Sequence, residues 1–246
     1  MKKQPLLNTY VNNLNMSETI RAVERMIERN QKAYVVPINV DVVVKIESNP
    51  KLKQVVDEAE IVLVDGQPLV WVSKLYKRPV KEKISGSDLV PELCKNAAKK
   101  GHTIFIIGGM DGIAEKAKKN LERKYKGIKI VGTYAPPFGF ERNEMELKKI
   151  NNMISDKQPD LLIACFGCPK QELWVCDNYK KYGAKVSICA GATVDFMAGN
   201  VKRAPKWMSD HGLEWLYRAT QDPKRLIKRY FVDDMKIIKL IWKYRK

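Results

Sequence analysis

The chain has 246 residues, 45% of them hydrophobic, enough for one large α/β domain or for a domain with an appendage. Its formal charge of +17 asks for an anionic partner, and the excess is uneven: from Gly199 to Lys246, thirteen basic side chains face five acidic ones. Five cysteines form no paired framework and no run nears the roughly 18 apolar residues of a membrane span, so neither a disulfide scaffold nor a spanning protein is expected.

In chain order, Ser17 is expected to cap a first helix with Ile20, Val23, Met26 and Ile27 on one face. Ala33 to Ile38 reads as a buried strand, with Asn39 just beyond it. Val40 to Ile46 fits helix or strand, since its valines do not decide. Ile61 to Val64 reads as a strand ended by Asp65-Gly66. Ser87 to Lys100 reads as a helix that stops at Gly101. Thr103 to Ile107, Ile128 to Gly132, Asp160 to Ala164 and Lys185 to Ala190 read as further strands. Predicted helices from about Asp111 to Tyr125, from Asn143 to Ser155 and from Lys170 to Tyr182 separate them.

Strands alternating with helices predict an α/β fold, a Rossmann-like, mostly parallel sheet flanked by helices. The strands are near-continuous apolar runs, as expected when both sheet faces are covered. Ligands in such sheets bind beyond the carboxyl ends of the strands. That rule selects Asn39, Asp65, Gly108-Gly109, Gly167 and Gly191.

Each candidate has a structural alternative. Asp65 is either a general base at the mouth of a site or the cap of a helix starting around Pro68. Gly108-Gly109-Met110-Asp111-Gly112 either presents backbone N–H groups to a phosphate or makes a bare tight turn. It lacks a full dinucleotide fingerprint and a Gly-Lys-Ser/Thr ending, so neither a nicotinamide cofactor nor ATP is supported. Gln171 offers a donor and an acceptor to a sugar or a uracil edge. Glu172 suits the helix N-terminus better than chemistry. Asp195 suits ribose hydroxyls, and Gly191 lets the chain pass close to a ligand. Arg203 pairs with phosphate oxygens, or is a surface arginine beside a buried Trp207. His102 and His211 are far apart and no Asp-x-Asp pair exists, while Cys165, Cys168, Cys176 and Cys189 read as small buried thiols; no metal site is expected.

After Asp222-Pro223, Leu226, Tyr230, Ile237, Ile241 and Tyr244 fall near one helical face, with Ile227, Phe231, Ile238 and Trp242 beside them. Lys and Arg fill the polar side. This basic amphipathic tail either lies in a membrane interface or docks on its own domain.

From Gly167 to Arg218 the motifs are dense: Gly167-Cys168-Pro169-Lys170-Gln171-Glu172, Gly191-Ala192-Thr193-Val194-Asp195, Arg203-Ala204-Pro205-Lys206-Trp207 and Glu214-Trp215-Leu216-Tyr217-Arg218. Together they resemble the signature of the WecG/TagA/CpsF glycosyltransferases, and the resemblance runs from about Pro37 into the tail. It implies a UDP-sugar donor, a polyprenyl-diphosphate-linked acceptor and an anionic membrane surface as partners, with no cofactor and no metal. Asp65 is then the base of an inverting transfer, and Arg218, Arg225 and Arg229 grip diphosphate. It further implies a catalytic domain over 1–198 and a membrane-contacting appendage over 199–246, a cytoplasmic location at the inner face of the plasma membrane, and a homo-oligomer that exposes or hides the tail. The resemblance implies a reaction that moves N-acetylmannosamine onto N-acetylglucosaminyl-diphospho-undecaprenol, as in wall teichoic acid linkage-unit synthesis; a mannosaminuronic acid or glucosyl donor is the alternative. Two positions depart from the pattern: Pro37 stands where relatives often carry threonine, and Lys83 where arginine is common, leaving a phosphate contact without the bidentate fork. A nucleic-acid-binding protein is the rival that the charge suggests, but no recognition motif of that kind is present, so no nucleic acid is expected. A lipid-binding module without catalysis does not account for polar residues at five strand ends.

Overall fold

A computed structural model describes residues 2–205, 207–208 and 212–245, with only the backbone for Arg225. The chain begins with a hairpin, β1 (Lys3–Leu6) and β2 (Thr9–Asn12). Helix α1 (Met16–Glu28) is capped by Asn15, which exchanges hydrogen bonds with Glu18 in a capping box. The cap therefore lies two residues before Ser17, because Glu18 stands three residues after Asn15.

Six parallel strands follow: β3 (Ala33–Ile38), β4 (Ile61–Val64), β5 (Thr103–Gly108), β6 (Lys129–Tyr134), β7 (Leu161–Cys165) and β8 (Val186–Cys189), side by side in the order β4-β3-β8-β7-β5-β6. Helices α2 (Val40–Ser48), α3 (Pro50–Glu58), α4 (Gln67–Leu75), α5 (Gly86–Lys100), α6 (Ile113–Lys124), α7 (Glu144–Lys157), α8 (Lys170–Asn178) and α9 (Thr193–Ala198) connect them. The open question at Val40 is settled as helix: Asn39 caps α2 by accepting from Val42 N–H at 3.2 Å. Likewise Asn49 caps α3, with Pro50 in its first turn.

Alternation along β3 shows why the strands are apolar throughout. Tyr34, Val36 and Ile38 pack on one side with α2, α3, α7 and α8, while Ala33 and Val35 pack on the other with α1, α5, α6 and α9. Each fully buried Val, Ile or Leu contributes about 1.5–3 kcal/mol, so both layers are held strongly to the sheet. The edge of β4 is covered by the hairpin, where Asn12 Oδ1 accepts from Val62 N–H at 2.7 Å.

The tail is not one helix. Helical segments Glu214–Gln221, Pro223–Lys228 and Ile237–Lys243 are interrupted by a π turn at Arg229–Asp233 and a 3-10 turn at Asp234–Lys236. It has two apolar faces. Leu226 and Leu240 are buried, with Ile237, Ile241 and Tyr244 packed against the core beneath α2, whereas Ile227, Phe231, Met235, Ile238 and Trp242 stand exposed. Tyr76 donates from its hydroxyl to Ile241 O at 2.8 Å, and Lys243 and Tyr244 both bond Glu47. The docked reading of the tail holds for its inner face.

Gly132 in β6 has no room for a side chain, since a Cβ there would lie 2.4 Å from Cε2 of the buried Phe105 ring. Gly132→Ala is expected to cost ~1–3 kcal/mol by overpacking, lowering Tm by about 2–12 °C in a thermal melt.

Candidate functional site

The carboxyl ends of the strands form one rim, and the tail crosses it. Between them lies a cleft of about 1180 Å³. Asn39, Asp65, Gln171, Gly191, Asp195, Arg218 and Arg229 all line it. Sequence positions 39 to 229 thus converge because a parallel sheet brings every strand end to one edge.

Asp65 follows β4 directly, its N–H bonded to Ile38 O at 2.8 Å. It does not cap α4: Gly66, at φ 112°, is the cap position and no side chain bonds there. Among the described residues the Asp65 carboxylate has no hydrogen-bond partner and faces the cleft. Burial pushes it up to about 6; Glu214 and Asp88 add to that, while Lys83 and Arg218 oppose it. A carboxylate poised near neutrality is suited to take a proton.

Lys83 and Arg203 lie outside the cleft lining and grip one carboxylate. Lys83 Nζ is 3.1 Å from Asp88 Oδ2, while Arg203 bonds Asp88 Oδ1 at 2.6 Å and Ser87 O at 3.1 Å. Burial would raise Asp88, but Lys83, the Ser85 hydroxyl and Arg203 hold it at about 2. Burial would lower Lys83, yet Asp88, with Glu214 and Asp65, raises it. Both cations act as braces of the turn that starts α5.

Gly108 and Gly109 also stand outside the lining. A Cβ on Gly108 would lie 2.3 Å from Cys165 O, and one on Gly109 3.1 Å from both Ile113 and Val194. Close packing of β5 against β7 and α9 thus accounts for these glycines.

Gln171 is nearly buried and its amide is engaged within the protein. Oε1 accepts from Gly191 N–H at 2.9 Å and from Gly167 N–H at 3.3 Å, and Nε2 donates to Glu172 Oε1 at 2.8 Å. Glu172 is fully buried and raised by that burial, with Gln171 opposing. It stands in the first turn of α8, as the sequence led us to expect.

Of the tail arginines, Arg218 sits 5.8 Å from the Phe196 ring and acts electrostatically on Asp65. Arg229 donates to Asn39 Oδ1 at 3.4 Å and lies 3.8 Å from Asp41 and 3.6 Å from Asp234. Burial lifts Asp234 to about 6, with Arg229 opposing. The Arg225 side chain lies outside the described residues, as do Lys206 and His211. Several lining residues escaped the sequence reading. Lys45 Nζ bonds Asp41 Oδ2 at 2.8 Å and Cys168 O at 3.0 Å, and Lys224, Lys228 and Lys239 line the cleft with no carboxylate within 4.0 Å among the described residues. Helical spacing of Asp41 and Lys45 just after Asn39 is the signal that could have found the first pair. Among the described residues no three His, Cys, Asp or Glu side chains gather as metal ligands, and no helix is long and apolar enough to cross a membrane.

Because Asp88 is held low when folded, its stabilisation is present above an unfolded value near 4 and is lost as pH falls through about 2. Asp88→Asn is expected to lower stability by ~2 kcal/mol at pH 7 in urea unfolding, the difference shrinking between about pH 4 and 2.

The model of the glycosyl transferase WecG/TagA/CpsF family matches residues 4–246. A relative from Bacillus spizizenii, described as N-acetylglucosaminyldiphosphoundecaprenol N-acetyl-beta-D-mannosaminyltransferase, is 29% identical over 199 residues, covering 81% of this chain and 75% of the relative. With a match over nearly its whole length, and Asp65, Gln171 and Arg218 on one cleft, the chain belongs to the WecG/TagA/CpsF family of glycosyltransferases.

Proposed function

We propose that this glycosyltransferase moves N-acetylmannosamine from UDP to N-acetylglucosaminyl-diphospho-undecaprenol, with inversion and without a metal. The observation that carries the reading is the Asp65 carboxylate at the end of β4, without a hydrogen-bond partner among the described residues, on a cleft that Arg218, Lys224, Lys228 and Lys239 also line. The Bacillus spizizenii relative supports the sugar and acceptor by its name. In this scheme Asp65 takes the proton of the acceptor hydroxyl as its oxygen attacks the anomeric carbon. The bond to UDP breaks on the opposite face, and its electron pair passes to a diphosphate oxygen. Arg218, Lys224, Lys228 and Lys239 offset that developing charge. Cations on the protein can supply the stabilisation a divalent ion would otherwise give.

The segment 199–246 serves as the appendage that carries these cations, and its outer face meets the anionic inner surface of the plasma membrane. Phe231, Met235, Ile238 and Trp242 are exposed there, with lysines on the same segment.

Three outcomes test the chemistry. UDP release from UDP-N-acetylmannosamine should require the lipid-linked acceptor and persist in chelator. Asp65→Asn should cut kcat by ~10²–10⁴-fold. Since the ionised carboxylate is the base and its value is raised, kcat should fall with acidity below about pH 6. Metal dependence, or an active Asp65→Asn, would contradict the reading, and turnover only with another UDP-sugar would correct the donor. Separately, Phe231→Glu with Ile238→Glu should abolish sedimentation with anionic vesicles while leaving UDP binding unchanged.

A further inference from the structure

Glu172 has no part in the chemistry above, yet it is fully buried beside the cleft. Its Oε1 accepts from Gln171 Nε2 at 2.8 Å, and its Oε2 has no partner among the described residues. Gln171 in turn spans two rim loops, accepting from Gly191 N–H and Gly167 N–H through one carbonyl oxygen. The two ends of a primary amide are nearly isosteric, one an acceptor and the other a donor. Reversed, the NH2 group would face two N–H donors, and both loops would lose their anchor. The bond from Nε2 to Glu172 selects the working orientation.

The carbonyls of these loops have partners of their own, Gly167 O accepting from Gln171 N–H at 3.0 Å and Cys168 O from Lys45 Nζ at 3.0 Å, whereas the N–H groups of Gly167 and Gly191 both run to the Gln171 side chain. Gly167 and Gly191 sit at φ 76° and 59°, and a Cβ on either would meet nothing within 4 Å. Their backbones therefore border open space on the rim, with no side chain of their own to pack.

We propose that Glu172 is the positioning residue of the donor pocket: acting through Gln171, it holds the Gly167 and Gly191 loops at the spacing that receives the nucleoside diphosphate. The ligand class rests on the function proposed above, whereas the loop anchoring does not. The role needs only an acceptor oxygen at Oε1, which a carboxyl group provides. Glutamine provides it too, and leucine does not.

The test compares Glu172→Gln and Glu172→Leu in the full chain by amide hydrogen exchange at Gly167 and Gly191, and by KM for the UDP-sugar against kcat. Glu172→Gln should keep both glycines protected and KM within about threefold of wild type, whereas Glu172→Leu should speed exchange at both and raise KM about tenfold or more with kcat little changed. If the leucine variant does not fold, the reciprocal Gln171→Glu with Glu172→Gln exchanges donor and acceptor across the pair and should retain the protection. A Glu172→Gln variant as impaired as Glu172→Leu, or unchanged exchange in the leucine variant, or lost protection in the reciprocal pair, would overturn the proposal. Wild-type protein that fails to bind UDP while the exchange pattern holds would instead overturn the ligand class.

Discussion

Everything at this site depends on six strands running the same way. A parallel ladder satisfies backbone hydrogen bonds in the sheet, but it delivers every carboxyl end to one edge, where the chain must turn out of the sheet. Asn39, Asp65, Gly167 and Gly191 are those turns. Their side chains or bare backbones face the same space because the strands leave them no other direction. The tail then converts an open edge into a cleft by docking Ile237, Leu240 and Ile241 on the core and Arg229 on Asn39 and Asp41.

Electrostatics divides the charged groups into two sets. Lys83 and Arg203 are consumed by Asp88, which they hold at about 2, and so brace the start of α5. Arg218 and the tail lysines line the same cleft as Asp65. Asp65 itself is raised because desolvation outweighs the cations near it. Part of the excess charge of the last 48 residues thereby has a place on the cleft, at Arg218, Lys224, Lys228, Arg229 and Lys239.

Strands and rim were legible because a strand covered on both faces must be apolar throughout and must end in a polar or glycine turn. Asn39, Asp65, Gly167 and Gly191 could be found that way. Other features were set by partners far along the chain. Arg203 and Asp88 are 115 residues apart, so no local pattern marks Arg203 as a brace. Gln171 offered two useful ends in sequence, but only the fold shows both bound, by Glu172 and by two glycine N–H groups. Periodicity read the tail as one helix, since it does not register the contacts of Arg229 that coincide with the π turn. The hairpin of β1 and β2 was missed because four-residue strands, one of them holding Pro5, give too short an alternation to detect.

The central claim is that the fold leaves Asp65 unpaired and poised as a base on the cleft. The most direct measurement is a carboxyl 13C titration of aspartate-labelled protein, with the Asp65 signal assigned by its loss in Asp65→Asn. The account predicts a midpoint at about 6. A midpoint in the ordinary range, about 4, would mean that solvent reaches and screens the carboxylate as at any surface, and would contradict the account.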